Sequence, residues 1–359
     1  MNFSSNDKIS NNQLRAIISA SLLGSLSVSL PLGIIEISKG AAYISILLGG
    51  IFTSLAYYLA AKAFQKADIK SYEEEILKNC GKLVGKIILV IVFIHTLMFA
   101  SFQLSVSSDM INSLTDKNIS FLTALFFIIL ISGLMAQKGS ECIGRTSEIA
   151  FVLMLFSIIF IFLMAVRSVD LDILIPVPTE RKGILKGALD TVLSFGFVGY
   201  TLLLMPKSNN GKKYHKSVLT AFLTVTVVLS LTTALAVSSF GVKESQRKIW
   251  PVIQMMNYIE FPSSLVERQE VLMSGFYIFS IFILTGTGIY ILSSLLESIF
   301  GTEKKKIYIF VSAVLVFVSA YGINTFNFGI LNMLKVFNIF IYFLMLFLPV
   351  KMLIRRKRK

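Results

Sequence analysis

The first apolar stretch, Leu14 to Ile35, limits this chain more than any other segment. It is long enough to cross a bilayer, for which roughly 20 residues suffice at about 1.5 Å rise each. Its middle and outer half nevertheless read Gly24-Ser25-Leu26-Ser27-Val28-Ser29-Leu30-Pro31-Leu32-Gly33. Proline removes a backbone donor and clashes with the preceding turn, and glycine costs about 1 kcal/mol in a helix interior. Backbone groups freed in this way cannot face lipid, so neighbouring helices or a polar cavity must cover them. A second interrupted stretch, Thr191 to Pro206, contains Leu193-Ser194-Phe195-Gly196-Phe197-Val198-Gly199-Tyr200. Two such breaks at matching places in the halves of a membrane chain point to a binding site between them.

The rest of the composition agrees with a membrane protein. Of 359 residues, 55% are hydrophobic and 15% charged, and the mean hydropathy is +0.77. Repeated apolar runs of 18 or more residues at such values mark a polytopic chain. A secretory signal fits the first run poorly, because it is long and lacks a small-x-small site before Glu36. Hydropathy gives about ten spans, near 14–35, 41–61, 84–108, 119–136, 148–166, 187–206, 217–240, 269–296, 306–322 and 336–354. With the N-terminus inside, 23 of the 34 basic residues and 9 of the 20 acids fall on the inner side. The inner net charge is then +14 and the outer zero, as the positive-inside rule requires. Both termini are therefore expected in the cytoplasm.

That charge distribution also argues against a nucleic-acid partner, since no basic recognition helix or basic-aromatic platform stands outside the spans. Cys80 and Cys142 both fall in expected inner loops, so neither a disulfide nor a thiolate metal site is suggested. No phosphate-binding glycine loop, HExxH or CxxC occurs. The chain reads as neither an enzyme nor a cofactor or metal protein. The fold expected is an all-α polytopic membrane protein, one integral membrane domain over 1–359. Breaks in the first and sixth spans suggest two inverted five-helix repeats, about 9–166 and 184–354, with a basic cytoplasmic tail at 355–359. Among the loops, Ser71-Tyr72-Glu73-Glu74 reads as a capping box whose helix stops at Asn79-Cys80-Gly81.

At a helix break, free N–H groups favour a carboxylate and free carbonyls an ammonium. Gly24, Ser25 and Ser27 with Phe99, Phe195, Gly196 and Tyr200 could thus bind a small zwitterion, or the small residues could serve only close helix packing. In the eighth span Thr287 and Tyr290, within Thr285-Gly286-Thr287-Gly288, offer either a hydroxyl to that pocket or a packing groove. The third span carries His95, Phe102 and Asp109 at seven-residue spacing, with Gln103 on the same face. An ionisable group inside a span usually faces protein or water, so His95, Gln103 and Asp109 either line a pathway or are an interhelical histidine and an interfacial end. Glu141, Arg145 and Glu148 share one helical face and read as a structural ion pairing, while Glu267 and Arg268 read as structural because the first turn of the eighth span favours a carboxylate.

Several motifs together resemble the spore germination permeases. They are Lys8-Ile9-Ser10-Asn11-Asn12-Gln13-Leu14, Ser29-Leu30-Pro31, Gly139-x-Glu141-x-x-Gly144-Arg145-x-x-Glu148, Trp250-Pro251 and Glu267-Arg268-Gln269-Glu270. The resemblance implies the B subunit of a nutrient germinant receptor, within the amino acid–polyamine–organocation superfamily and its LeuT-like fold. It further implies an A subunit and a lipoprotein C subunit as partners, in the spore inner membrane. On that reading a small nutrient, an amino acid for example, binds at the paired breaks and triggers germination. The same scaffold would also serve a secondary transporter or a ligand-gated water or ion conduit. Phe195 to Met205 carries no acidic residue, which favours sensing over coupled transport.

Overall fold

The computed structural model describes residues 8–67, 69, 71–115, 117–165, 174, 181–208, 214–255, 269–326 and 330–357. The chain opens with α1 (Asn11–Ser29) and α2 (Pro31–Ser38), which form the first span. Then come α3 (Ala42–Lys66), the short α4 (Tyr72–Cys80), α5 (Lys82–Leu114), α6 (Phe121–Gln137) and α7 (Ser140–Ala165). The second half begins with another divided span, α8 (Arg181–Ser194) and α9 (Val198–Leu204), followed by α10 (Tyr214–Phe240). Two four-residue helices, α11 (Val242–Ser245) and α12 (Pro251–Gln254), precede α13 (Gln269–Phe300), α14 (Lys305–Phe326) and α15 (Ile330–Lys357). Apart from the short α4, α11 and α12, the order is five helical segments and then five more, each set opening on a divided one. Ile9 and Ser208 form an isolated bridge outside this helical scaffold.

By length and hydropathy, six helices qualify as membrane-crossing, and the bent pair α8 and α9 makes a seventh. Shorter apolar helices occupy 121–137 and 332–347. The first helix is less apolar than a lipid-facing span because it does not face lipid. Almost every residue of α1 from Leu14 to Val28 is buried, enclosed by α10, α13 and α7. Its serines therefore meet protein, and hydroxyls of Ser25, Ser27 and Ser29 bond back to the carbonyls of Ser21, Leu23 and Ser25 at 2.8, 2.5 and 2.9 Å.

The first break falls at the Pro31 end of the Gly24–Gly33 stretch. Helix α1 runs through Gly24 and stops at Leu30, whose φ and ψ of −91° and −45° are still helical. Pro31 then opens α2 as its first residue, where its missing N–H costs least. Gly33 lies within α2 with nothing near its missing side chain. Helix boundaries also differ from expectation. The third span reaches 82–114 rather than 84–108, and Glu141 to Glu148 are the first turns of α7 rather than an inner loop. At Ser71 only half of the capping box forms: its hydroxyl accepts from the Glu74 N–H at 3.3 Å, while the Glu74 side chain pairs with Lys78. Gly81 ends α4 with a positive φ of 82°, which glycine adopts without strain.

Candidate functional site

The sixth span comes apart at Phe195-Gly196-Phe197, between α8 and α9, with a bend of 42° between the two halves. Two large rings flank a residue that has none. A Cβ on Gly196 would lie 2.6 Å from the Phe99 ring and 3.2 Å from the Asn338 amide, so glycine is required by close approach. Neither Gly196 nor Gly24 has a positive φ, and backbone freedom is not what either supplies.

Breaking a helix orphans its last carbonyls, and α15 and α3 supply their donors. The Asn338 amide donates to the Leu193 carbonyl at 2.5 Å. The Tyr342 hydroxyl reaches the carbonyls of Val192 and Phe195 at 3.2 and 3.3 Å, and Tyr57 reaches Phe195 at 3.3 Å. Because the Asn338 nitrogen is a donor, its oxygen accepts from His95 Nε2 at 2.6 Å. That arrangement assigns His95 the neutral tautomer with Nε2 protonated, and leaves the buried Nδ1 without a partner. Thr96 Oγ1 and the Tyr200 hydroxyl are also buried and unpartnered. Thr96 Oγ1 and His95 Nδ1 both lie against Gly199, whose Cβ would be 2.7 and 3.1 Å from them, while the Tyr200 hydroxyl lies against Gly288.

Above the break, Lys335 Nζ meets Asp190 Oδ1 at 2.6 Å, the side chains 24% and 19% exposed. Beside this pair lies a small cavity lined by Ser29, Phe99, Phe102, Gln103, Ser194 and Lys335, among others. Its volume is about 20 Å³, room for a single water. Gln103 Nε2 points at Ser29 Oγ across 3.5 Å, and its buried Oε1 has no partner. The cavity thus gathers one cation, an unsatisfied acceptor and two phenyl rings between the ends of the two divided spans, with Asp190 held next to it through Lys335.

Among the residues expected at a ligand site, Phe99 lines this cavity and Gly196 packs against it; Gln103, expected along a pathway, lines the cavity too. Phe195 is wholly buried, its carbonyl held by two tyrosines. Tyr200 lies deeper, stacked on Phe197 at 4.6 Å and edge-on to Phe99 at 5.7 Å. Gly24 lies elsewhere: its N–H donates to Ser280 Oγ at 3.1 Å, and Ser280 donates to the Ala20 carbonyl. A hydroxyl from α13 is inserted in the α1 ladder there, and a Cβ on Gly24 would coincide with it. The hydroxyls of Ser25, Ser27 and Thr287 are turned back onto their own helices. Along the third-span stripe His95 is buried, Phe102 lines the cavity, and Asp109 is exposed. Glu141 and Arg145 pair at 2.6 Å with both side chains partly exposed, worth about 0.3–0.5 kcal/mol; Glu148 follows on the same helix. Glu267 and Arg268 lie outside the described residues.

Tyr290 belongs to the opposite end. Its hydroxyl accepts from Lys207 at 2.5 Å, and Lys305 lies 5.0 Å from its ring. At that end Ile9 N–H bonds to the Lys207 carbonyl at 3.0 Å, and Ser208 donates to Asn11 at 2.7 Å. Gln13 packs on Gly144, where a Cβ would lie 2.9 Å from its own. Two of the motifs quoted above therefore meet. Helix α4 docks here through buried Glu73, which accepts from Ser71 and Ser294 at 3.0 and 2.9 Å. Burial, reinforced by Glu73, raises the neighbouring Tyr72 phenol above its ordinary value. The basic end of the bundle is sealed.

A family model described as "Spore germination protein" matches residues 8–328. The chain belongs to the spore germination permease family. Its relatives in Bacillus subtilis (strain 168) include spore germination protein YndE, 23% identical over 282 residues, or 78% of each chain. Spore germination protein A2 is 23% identical over 304 residues, 83% of this chain and 82% of that one. Spore germination protein B2 is 21% identical over 265 residues, covering 74% and 72%. Among solved structures, a substrate-bound, outward-open Na+-coupled sialic acid symporter superposes with a TM-score of 0.68, covering 96% of this chain and 80% of that one at 14% identity. The likeness shows the fold, a transporter scaffold in which the first and sixth spans are divided. This permease-family chain is an integral membrane protein.

Sequence reading missed Asp190, Lys335, Asn338, Tyr342 and Tyr57. Asp190 and Lys335 carried a usable signal, as opposite charges within or beside the sixth and tenth spans, where an ionisable group is costly. The tyrosines and Asn338 carried none, because capping donors look like ordinary span residues until the carbonyls they serve are known.

Proposed function

We propose that this protein is the nutrient-recognising membrane subunit of a germinant receptor, and that its ligand is a small zwitterion such as an amino acid. The observation that carries the reading is the Lys335–Asp190 pair beside the unsatisfied Gln103 Oε1. A zwitterion inserted into that pair offers its carboxylate to Lys335 and its ammonium to Asp190 and Gln103, so neither charge is stranded. Phe99 and Phe102 would meet its side chain. At about 20 Å³ the cavity has room for little more than a water, whereas ligand sites span about 300–1,000 Å³. Binding must therefore part α15 from α8, and exchange of ion-pair partners couples recognition to that movement. The receptor would sit in the spore inner membrane with both termini cytoplasmic, beside an A subunit and a lipoprotein C subunit.

Dose–response curves for nutrient-triggered germination, in spores carrying each variant at matched protein level, test this reading. A lost hydrogen bond to a charged ligand is worth about 1.5–3 kcal/mol, roughly ten- to hundredfold in concentration. Lys335→Gln and Gln103→Leu are expected to shift the midpoint by that factor for amino acids. Unshifted curves for both variants would remove the ligand from this cavity. The transporter scaffold favours a second reading, uptake of the same solute. Accumulation of labelled amino acid by proteoliposomes holding this chain alone would favour it, and saturable binding without uptake would favour the receptor.

A further inference from the structure

A second concavity lies on the lipid-facing surface, between α6 and α14. Leu130, Gly133 and Gln137 line it from one helix and Phe310, Val314 and Phe317 from the other, enclosing about 430 Å³. Leu130, Phe310 and Val314 are exposed, at 46%, 68% and 44%. Nothing lies within 4 Å of a Cβ placed on Gly133, so the glycine leaves the groove open on the α6 side. From Ile309 to Phe317 the groove runs along α14 for roughly 12 Å at 1.5 Å per residue.

Its chemistry changes at one end. Gln137 and the exposed Lys138 close α6, and Lys304, Lys305 and Lys306 open α14 beside Glu303. Lys306, Phe310, Val314 and Phe317 fall on one stripe by helical spacing, so exposed Lys306 lies one turn beyond the Phe310 end of the groove. No acid lies in the first turn of α14. Cations there oppose the helix dipole, whose N-terminal end favours an anion. These lysines share the end of the bundle that holds Ile9, Lys207 and Tyr290, where Lys305 lies over the Tyr290 ring.

We infer that this groove is a binding site for an anionic phospholipid, one acyl chain lying between α6 and α14 and the phosphate held by Lys306 and Lys138. Charge selects the occupant. An apolar transmembrane helix of a partner would use the same groove without needing lysines at its mouth, while a phosphate beside acyl chains uses both. Basic pockets between spans on the cytoplasmic side recognise anionic headgroups in this way.

The test uses the full chain, reconstituted in vesicles of phosphatidylcholine and phosphatidylglycerol in equal parts, extracted with mild detergent and assayed for retained lipid by mass spectrometry. Phosphatidylglycerol is expected to be retained severalfold over phosphatidylcholine. Lys138→Gln with Lys306→Gln should abolish that preference, and Gly133→Leu, which fills the groove, should lower retention of both lipids. Both substitutions lie at open surface, and the lysine pair tests the headgroup even if the leucine disturbs packing. Equal retention of the two lipids by the unaltered protein would overturn the site. So would an unchanged preference in the lysine variant, or a Gly133→Leu effect confined to co-purification of another protein.

Discussion

Lys335 on α15 holds Asp190 on α8 at 2.6 Å, one turn ahead of the break in the sixth span. The pair is about one-fifth exposed, between the exposed regime, where pairs contribute little, and the buried one, where stranding a charge is costly. Asp190→Lys and Lys335→Asp alone are expected to destabilise by about 1–3 kcal/mol. The double exchange should recover much of that loss. Thermal melting of the purified variants in one detergent gives the coupling energy, and a double variant no more stable than the singles would deny that these residues support each other.

Asn338 connects His95 to the open end of α8. Replacing it with Leu leaves His95 Nε2 and the Leu193 carbonyl buried without partners, each at about 1–3 kcal/mol. Asn338→Leu should therefore melt well below the parent protein, and His95→Leu added to it should cost less than His95→Leu alone, because the shared bond is already lost. Additive losses in that cycle would mean the two residues act independently.

How legible was this in the sequence? The second break was plain, because Gly196 between two phenylalanines can only serve a close approach or a turn. The first fell within the stretch read as broken, at Ser29-Leu30-Pro31, but Gly24 has no part in it. Gly24 and the serines around it read as a bend, since a serine bonded back to its own helix and one facing a ligand look identical along the chain. Only the packing of α13 reveals that Gly24 makes room for Ser280. The two charges could be noticed in the sequence, but their pairing was missed for a different reason. Its partners are 145 residues apart, and Lys335 falls one residue before the expected tenth span, where a lysine reads as an interfacial end. The Gln13–Gly144 contact brings together two motifs far apart in the chain, something neither shows alone.

Gly24→Ala tests that revision. The added methyl would coincide with the Ser280 side chain, and overpacking of a tight core costs about 1–3 kcal/mol. Protein level and melting temperature should both fall. Ser280→Gly should restore them in the double variant by vacating the space. A Gly24→Ala protein of normal stability whose nutrient response is selectively lost would return Gly24 to the ligand site.

Topology follows from the basic residues gathered at one end of the bundle. Lys243, exposed at the start of α11, belongs to the other end. A Lys243→Cys variant lacking Cys80 and Cys142 should react with an impermeant maleimide added outside intact cells. Reaction only after lysis would invert the orientation.

The sealed end makes the last prediction. Lys207 donates to the Tyr290 hydroxyl at 2.5 Å and lies 4.3 Å from its ring centroid, while the backbone beside it is tied to Ile9. These contacts join the N-terminal segment, the end of the sixth span and α13 across the face opposite the cavity. If parting α8 from α15 triggers the receptor, the seal is what the movement works against. Tyr290→Phe keeps the ring and deletes the hydroxyl, and should weaken the seal by about 1.5–3 kcal/mol, as for other hydrogen bonds to charged groups. Lys207→Met removes both contacts. Both variants should raise germination without nutrient and lower the nutrient concentration needed, Lys207→Met more strongly, while Lys335→Gln shifts the curve the other way. Counting germinated spores over time in buffer, with and without amino acid, measures both effects. Spontaneous germination unchanged in either variant, at normal protein level, would mean that the seal holds the fold together without opposing activation.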